Sequence, residues 1–131
     1  MPICVESDIV SARRAVREAA THAGFGTTDV TRLVTAASEL ARNIYKYAGT
    51  GNMIWREIRS GELHGIEIRF VDSGPGIVDL EAAMVAGYST TDGLGMGLPG
   101  AKRLTDEMEV TTAPGKGTSI TVRKWLGASG S

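Results

Sequence analysis

"TTDGLGMGLPGAKRL", residues 90–104, carries Gly93, Gly95, Gly97 and Gly100 and then runs into a helical pattern. Within it, Gly95-x-Gly97-x-x-Gly100 matches the dinucleotide-binding fingerprint, so the fold turns on whether a parallel βαβ unit surrounds it. That fingerprint needs a strand directly before its first glycine and an acidic residue about 20 positions further on, closing a second parallel strand. The preceding residues are Tyr88-Ser89-Thr90-Thr91-Asp92, small and polar, and Gly115 stands where the acid belongs. The match is accidental. Two readings of the glycines remain: a mobile linker, or an anion cradle in which successive N–H groups converge with a helix N-terminus.

Outward from this stretch, helices precede strands. Ile3–Val5 predicts a short strand and Ser7-Asp8 a helix N-cap; Ile9, Ala12, Val16, Ala19, Ala20 and Ala23 then recur at helical spacing until Gly24, a Schellman-type stop. A second helix is predicted from Thr27 or Thr28 to Gly49, with Val30, Leu33, Val34, Ala37, Leu40, Ala41, Ile44 and Ala48 on one stripe. Period two then takes over. Residues 52–58 and 63–72 predict two strands joined at Ser60-Gly61, with Ile66, Ile68 and Phe70 facing one way and Glu67 and Arg69 the other. Residues 73–97 are glycine-rich, with at most one short helix around 80–86. A third helix is expected over about Leu98–Glu107, with Pro99 in its first turn and Leu98, Ala101, Leu104 and Met108 on its stripe. A closing hairpin pairs 109–113 with 118–125 across Pro114-Gly115-Lys116-Gly117. This order predicts an α+β, two-layer α/β sandwich with about three helices on one face of a mainly antiparallel sheet.

At 131 residues the chain is expected to form one domain, residues 1–126, with 127–131 as a disordered tail. A formal net charge of −1 without a basic block argues against nucleic acid or an anionic membrane as main partner. No stretch approaches the ~20 apolar residues that span a bilayer, and the N-terminus has no targeting pattern, so a cytoplasmic location is expected. The lone Cys4 is expected to be a small buried residue. His22 and His64 show no partner spacing and are read as ordinary surface or turn residues, and Trp55 and Trp125 as packing residues.

Four groups of residues are candidates for chemistry. Glu39 and Asn43 share a quadrant of the second helix away from its apolar stripe, on a broad face with Arg32, Ala36 and Lys46. That face is either a solvated exterior or the floor of a cleft, where a carboxylate takes a proton and an amide oxygen ligates a hard cation. Asp72, in "VDSGPGI", falls on the apolar side of its strand, where a carboxylate needs hydrogen-bond donors. It either caps a turn or receives an adenine amine, with Gly74 and Gly76 permitting close approach. Gly93, Gly95 and Gly97 free the backbone before the third helix. Thr118 shares its strand face with Ile120 and Val122, as a core threonine or a ligand contact.

In this order and separation, Glu39-x-x-x-Asn43, Asp72-x-Gly74-x-Gly76, Gly93-x-Gly95-x-Gly97 and Gly117-Thr118 resemble the nucleotide site of the GHKL ATPases, the Bergerat-fold group of gyrase, Hsp90, MutL and histidine kinases. The resemblance covers nearly the whole chain: "ASELARNIYKYAGTG", "DSGPGI", "GYSTTDGLGMGLPGAKRLTDE" and the closing "KW" are similar to the small serine/threonine switch-protein kinases of the stressosome. The resemblance implies a Bergerat fold with a mixed sheet, and ATP and Mg²⁺ as cofactors. It implies that Asp72 binds the adenine amino group with Thr118 supporting through water, that Asn43 ligates Mg²⁺, and that Glu39 is the general base. Lys46, Gly74, Gly76, Ile77 and Leu98 are implied in nucleotide binding, and Gly93, Gly95 and Gly97 as the hinge of an ATP lid.

The implied activity is phosphoryl transfer to serine or threonine of STAS-domain scaffold proteins, followed by release and activation of a phosphatase or other effector. The chain is expected to be the ATP-binding domain alone rather than a complete histidine kinase, gyrase or Hsp90. An anti-sigma-factor kinase that sequesters a sigma factor and a nucleotide-gated binding module are the alternatives. One departure from the wider group stands out: no Arg or Lys lies between Asp79 and Gly100. Phosphate charge must then be met by Mg²⁺, backbone amides, Lys46 or Lys102, or the partner, so weak nucleotide affinity without the partner and slow turnover are expected.

Overall fold

Alternation with period two from Gly51 to Asp72 builds the centre of the sheet, because every second residue of an extended chain points to the same face. The computed structural model describes residues 1–74, 94–112 and 115–126, with only the backbone of 94–97. Its elements are β1 (Pro2–Ile3), α1 (Ser7–Ala23), α2 (Thr27–Asn43), a π-turn (Ile44–Ala48), β2 (Gly51–Ser60), β3 (Leu63–Asp72), α3 (Leu94–Leu104), β4 (Glu107–Thr112) and β5 (Thr118–Trp125). The strands lie in the order β1-β2-β3-β5-β4, and every described pairing is antiparallel. The expected parallel pairing of a mixed sheet is not among them. The glycine fingerprint sits within α3 and not after a strand, as its flanking residues required.

Register places Met53 opposite Phe70, Phe70 opposite Ile120 and Ile68 opposite Val122, so these side chains share one face. All are buried, together with Val16, Leu33, Leu40 and Leu98 from the three helices. That is the core: a sheet face under helices, each large apolar side chain contributing roughly 1.5–3 kcal/mol by leaving water. No helix among the described residues is long and apolar enough to cross a membrane.

The opposite face carries Glu67, and Arg56 and Arg123 each donate to its carboxylate at 2.9 Å. Glu67 is nevertheless buried, because the two guanidinium groups close over it. At the helix-side rim, Lys124 is buried with Nζ 3.6 Å from Asp29 and 3.8 Å from Asp106. This clamp ties the start of α2 to β5 and to the turn before β4.

Several local expectations are corrected. β1 is shorter than Ile3–Val5, and α1 opens without a side-chain cap: Asp8 instead accepts from the N–H groups of Cys4 and Val5 at 2.8 and 3.1 Å, bracing the entry from behind. Gly24 ends α1 at φ +104°, with Phe25 N–H donating to the Ala20 carbonyl as in a Schellman stop. Cys4 is exposed rather than buried, its Sγ 3.3 Å from Thr50 Oγ1. Ala36 is fully buried rather than on the polar face, within the core to which both α1 and α3 pack α2.

α3 begins four residues earlier than expected and stops at Leu104, so Pro99 lies inside it and Glu107 and Met108 belong to β4. Burial of Leu98 and Ala101 against the core outweighs the helix cost of its glycines, about 1 kcal/mol each. The short helix expected near 80–86, Pro114 and the tail 127–131 lie outside the described residues.

Candidate functional site

The site begins on the last turn of α2. Its stripe of Val30, Leu33, Val34, Ala37, Leu40 and Ala41 is buried, which turns Glu39 and Asn43 to the rim of the core. Glu39 keeps 34 % of its side chain exposed, and Arg42 Nη1 stands 3.7 Å from its Oε1. Asn43 is half-buried, and its Nδ2 is buried without a hydrogen-bond partner among the described residues. A buried amide end left unpaired costs roughly 1–3 kcal/mol, so it calls for a partner beyond the described residues.

At Ile44 the helix widens into the π-turn, which closes with Gly49 N–H donating to the Ile44 carbonyl at 2.8 Å, Gly49 itself at φ +82°. A π-turn inserted into an α-helix is frequently found at functional sites. Here it swings the chain down onto the sheet. Ile44 Cγ2 and Asp72 Cβ both lie about 3 Å from the point where a Cβ on Gly51 would stand. Gly74 lies against Ala48, where an added methyl would come within 2.7 Å of the Ala48 Cβ. The end of α2 and the turn after β3 are therefore neighbours. Lys46 is exposed on the π-turn.

Asp72 closes β3 opposite Thr118 of β5 and Gly51 of β2, on the helix-covered face. Its Oδ1 accepts from Gly74 N–H at 2.9 Å and from Thr118 N–H at 3.2 Å. The carboxylate does cap the turn, as the plainer of its two readings had it. Among the described residues nothing donates to Oδ2. Thr118 is buried, its Oγ1 3.0 Å from Thr112 Oγ1, so Asp72, Thr118 and Thr112 form a polar row across three strands. Gly117, at φ +81°, sits so close to the Asp72 carbonyl that no side chain fits there. A cavity of about 280 Å³ lies against this row, lined by Val71, Asp72, Thr111, Thr112, Lys116 and Thr118 among others.

A larger cavity, about 420 Å³, lies between α1 and β2 beside Trp55 and Ile66. Its Glu57 is shared by His22 at 3.0 Å and by the neighbouring His64 at 2.8 Å, and these hydrogen bonds hold its carboxyl below the ordinary value. Both histidines therefore have a partner that no spacing announced, since α1, β2 and β3 meet there only in the fold. On the Asp72 side, by contrast, the carboxylate Oδ2 and the nearby Asn43 Nδ2 have no hydrogen-bond partner among the described residues.

Of the glycine triad, Gly93 lies outside the described residues, as do Gly76 and Ile77. Gly95 and Gly97 are helical backbone in α3 and not loop. Gly95, in the first turn, has an N–H without an intrahelical partner that faces out of the helix start, whereas at Gly97 the i→i−4 ladder has begun. Leu98 has its side chain entirely in the core, and its N–H falls within the helical ladder that begins at Leu94. Lys102 is exposed on the same helix. Among the described residues no group of three or more His, Cys, Asp or Glu side chains could cage a metal ion. Mg²⁺ suits such a setting, because it is usually held by one or two protein oxygens and by substrate phosphates. Half a turn of the Asn43 amide exchanges its oxygen and nitrogen, so the unpaired end fits either a hard cation or a phosphate oxygen.

The profile of the histidine kinase-, DNA gyrase B-, and HSP90-like ATPases matches residues 28–128. The chain is 48 % identical over 124 residues to the serine/threonine-protein kinase RsbT of Bacillus subtilis, covering 95 % of this chain and 93 % of that one. It is 33 % identical to the anti-sigma F factor of Caldanaerobacter subterraneus subsp. tengcongensis, over 76 % of this chain and 72 % of that protein. The anti-sigma F factor of Thermoanaerobacter sp. strain X514 stands at the same identity, covering 76 % and 73 %.

Proposed function

Since the chain belongs to the histidine kinase-, DNA gyrase B-, and HSP90-like (GHKL) ATPase family, we propose that its ATP-dependent serine/threonine kinase activity is directed at STAS-domain scaffold proteins and depends on the polar residues at the end of α2 and the end of β3. Residues 1–126 act as one ATP-binding kinase domain, working in the cytoplasm. Once the scaffold is phosphorylated, the kinase leaves it and activates a phosphatase or another effector. The likeness to two anti-sigma F factors favours a second role beside transfer, holding a regulatory protein by direct binding.

The observation that carries the assignment is the buried amide end of Asn43 without a partner, one helical turn after Glu39. Asp72 would accept the adenine amino group on Oδ2 while Oδ1 stays tied to Gly74 and Thr118. Thr118 supports that contact through water, and Gly74, Gly76 and Ile77 let the base approach. Asn43 would hold Mg²⁺, which neutralises charge on the phosphates. Lys46 and the N–H groups around Gly93 and Gly95 meet the remaining phosphate charge. Glu39 orients the incoming hydroxyl and takes its proton. Positioning and charge neutralisation of this kind account for most catalysis of phosphoryl transfer.

Glu39→Ala tests the assignment. With purified STAS-domain proteins and radiolabelled ATP, the variant is expected to bind ATP as the parent does while transfer falls at least about a hundredfold, the usual worth of a general base. Full transfer by Glu39→Ala would remove Glu39 from the role. Mapping the labelled residue identifies the acceptor.

A further inference from the structure

Viewed down α2 at 100° per residue, Asn43 lies about 40° to one side of Glu39 and Arg42 about 60° to the other. Their neighbours one and two turns back show which side is which. Ala36, beyond Asn43, is fully buried, whereas Thr35, on the Arg42 side, is exposed. Glu39 thus divides an inner flank, with the unpaired amide of Asn43, from an outer flank open to solvent. In-line phosphoryl transfer brings the acceptor oxygen in opposite the leaving group, so with nucleotide on the inner flank the protein substrate arrives over the outer one.

On that flank Arg42 is half exposed, with 47 % of its side chain accessible. Its contact with Glu39, at 3.7 Å, is an ion pair too long for a hydrogen bond. Arg32, two turns before Glu39 and about 20° to its inner side, is spent differently, donating to the buried Asp29 at 3.1 Å. Thr31 and Thr35 turn their hydroxyls back onto the carbonyls of Thr27 and Thr31, both at 2.9 Å. Among the described residues of α2, Arg42 is the exposed cation on the outer flank, and its fork is shaped to take a carboxylate in two parallel hydrogen bonds.

The geometry points to Arg42 as the specificity residue of the transfer reaction: it receives an acidic side chain adjacent to the acceptor hydroxyl and so seats that hydroxyl against Glu39. The assignment rests on Glu39 being the base at a nucleotide held on the Asn43 flank. Arg42 does not touch the nucleotide, and its loss leaves that pocket intact.

The test combines Arg42→Glu and Arg42→Lys with a STAS-domain protein labelled by the parent enzyme, and with a variant of that protein whose acidic residue nearest the acceptor is changed to lysine. Arg42→Glu is expected to raise KM for the protein substrate about tenfold, the scale of a close interfacial charge pair reversed, with ATP affinity unchanged. The lysine-bearing partner should be a poor substrate for the parent and a better one for Arg42→Glu, while Arg42→Lys keeps most of the parental KM. A parental KM in Arg42→Glu overturns the inference. So does a fall in kcat at constant KM, which would confine Arg42 to orienting Glu39. If the parent labels no STAS-domain protein, it is the substrate class that fails. Serine peptides flanked by aspartate or by lysine then decide on Arg42, and equal rates for the two in both enzymes overturn it.

Discussion

Replacing Asp72 by asparagine leaves an oxygen where Gly74 and Thr118 donate, at 2.9 and 3.2 Å, and changes only what the other end of the group presents. Both retained bonds weaken from charge-assisted to neutral, which costs the fold on the order of 1 kcal/mol, or a few degrees in Tm for a domain of this size. At Oδ2 an acceptor becomes a donor, so the adenine amino group loses a charge-assisted hydrogen bond of roughly 1.5–3 kcal/mol. At about 1.4 kcal/mol per decade, ATP binding should weaken about tenfold to a hundredfold. The new amide donor matches the exocyclic oxygen of guanine, so the preference for ATP over GTP should narrow or invert. Isothermal titration with both nucleotides, beside thermal unfolding of the free protein, separates the effects. Unchanged ATP affinity in a folded Asp72→Asn protein would refute the adenine contact. A stability loss above about 3 kcal/mol, more than a weakened pair of bonds can supply, would reduce Asp72 to a brace for the turn.

Asn43→Leu is near in volume and removes the unpaired amide, so urea unfolding should show a gain of about 1 kcal/mol together with loss of phosphoryl transfer; a less stable variant would mean that the amide is satisfied in solution. Lys124→Ala strips the buried Asp29 and the partly buried Asp106 of a shared cation and should cost about 3 kcal/mol in the same assay. A loss below about 1 kcal/mol would show that Arg32 alone suffices for Asp29. Glu67 bears on acid stability: burial pushes its carboxyl up, but hydrogen bonds from Arg56 and Arg123 outweigh this and hold it below the ordinary 4.5. Its contribution is therefore present above that pH and lost as the pH falls through the lower folded-state value. Stability below pH 4.5 should fall more steeply in the parent than in Glu67→Gln, and parallel curves would refute the pairing.

Local periodicity determined most of the architecture. Helical stripes in α1 and α2, alternation in β2 and β3 and the stop at Gly24 are written in residues a few positions apart, where backbone sterics and one-sided burial act directly. The shared side of Glu39 and Asn43 and the inward side of Asp72 belong to the same class, since each follows from the repeat of its own element. The order of the nucleotide motifs was equally legible, because motif spacing along a chain needs no fold.

What the tertiary structure alone decided is which groups find partners. Ala36 is buried where helices distant in sequence pack on α2, and α3 itself starts at Leu94 because burial of Leu98 and Ala101 overrides glycine propensity. The pairing of Asp72 with Thr118 comes from strand register between distant segments, as does the shelter of Glu67 under two arginines. Among the described residues the amide Nδ2 of Asn43 has no partner, because helix end, π-turn and sheet close around it without supplying one. A repeat in sequence sets the direction of a side chain, but hydrogen-bond satisfaction is a sum over every segment that arrives beside it.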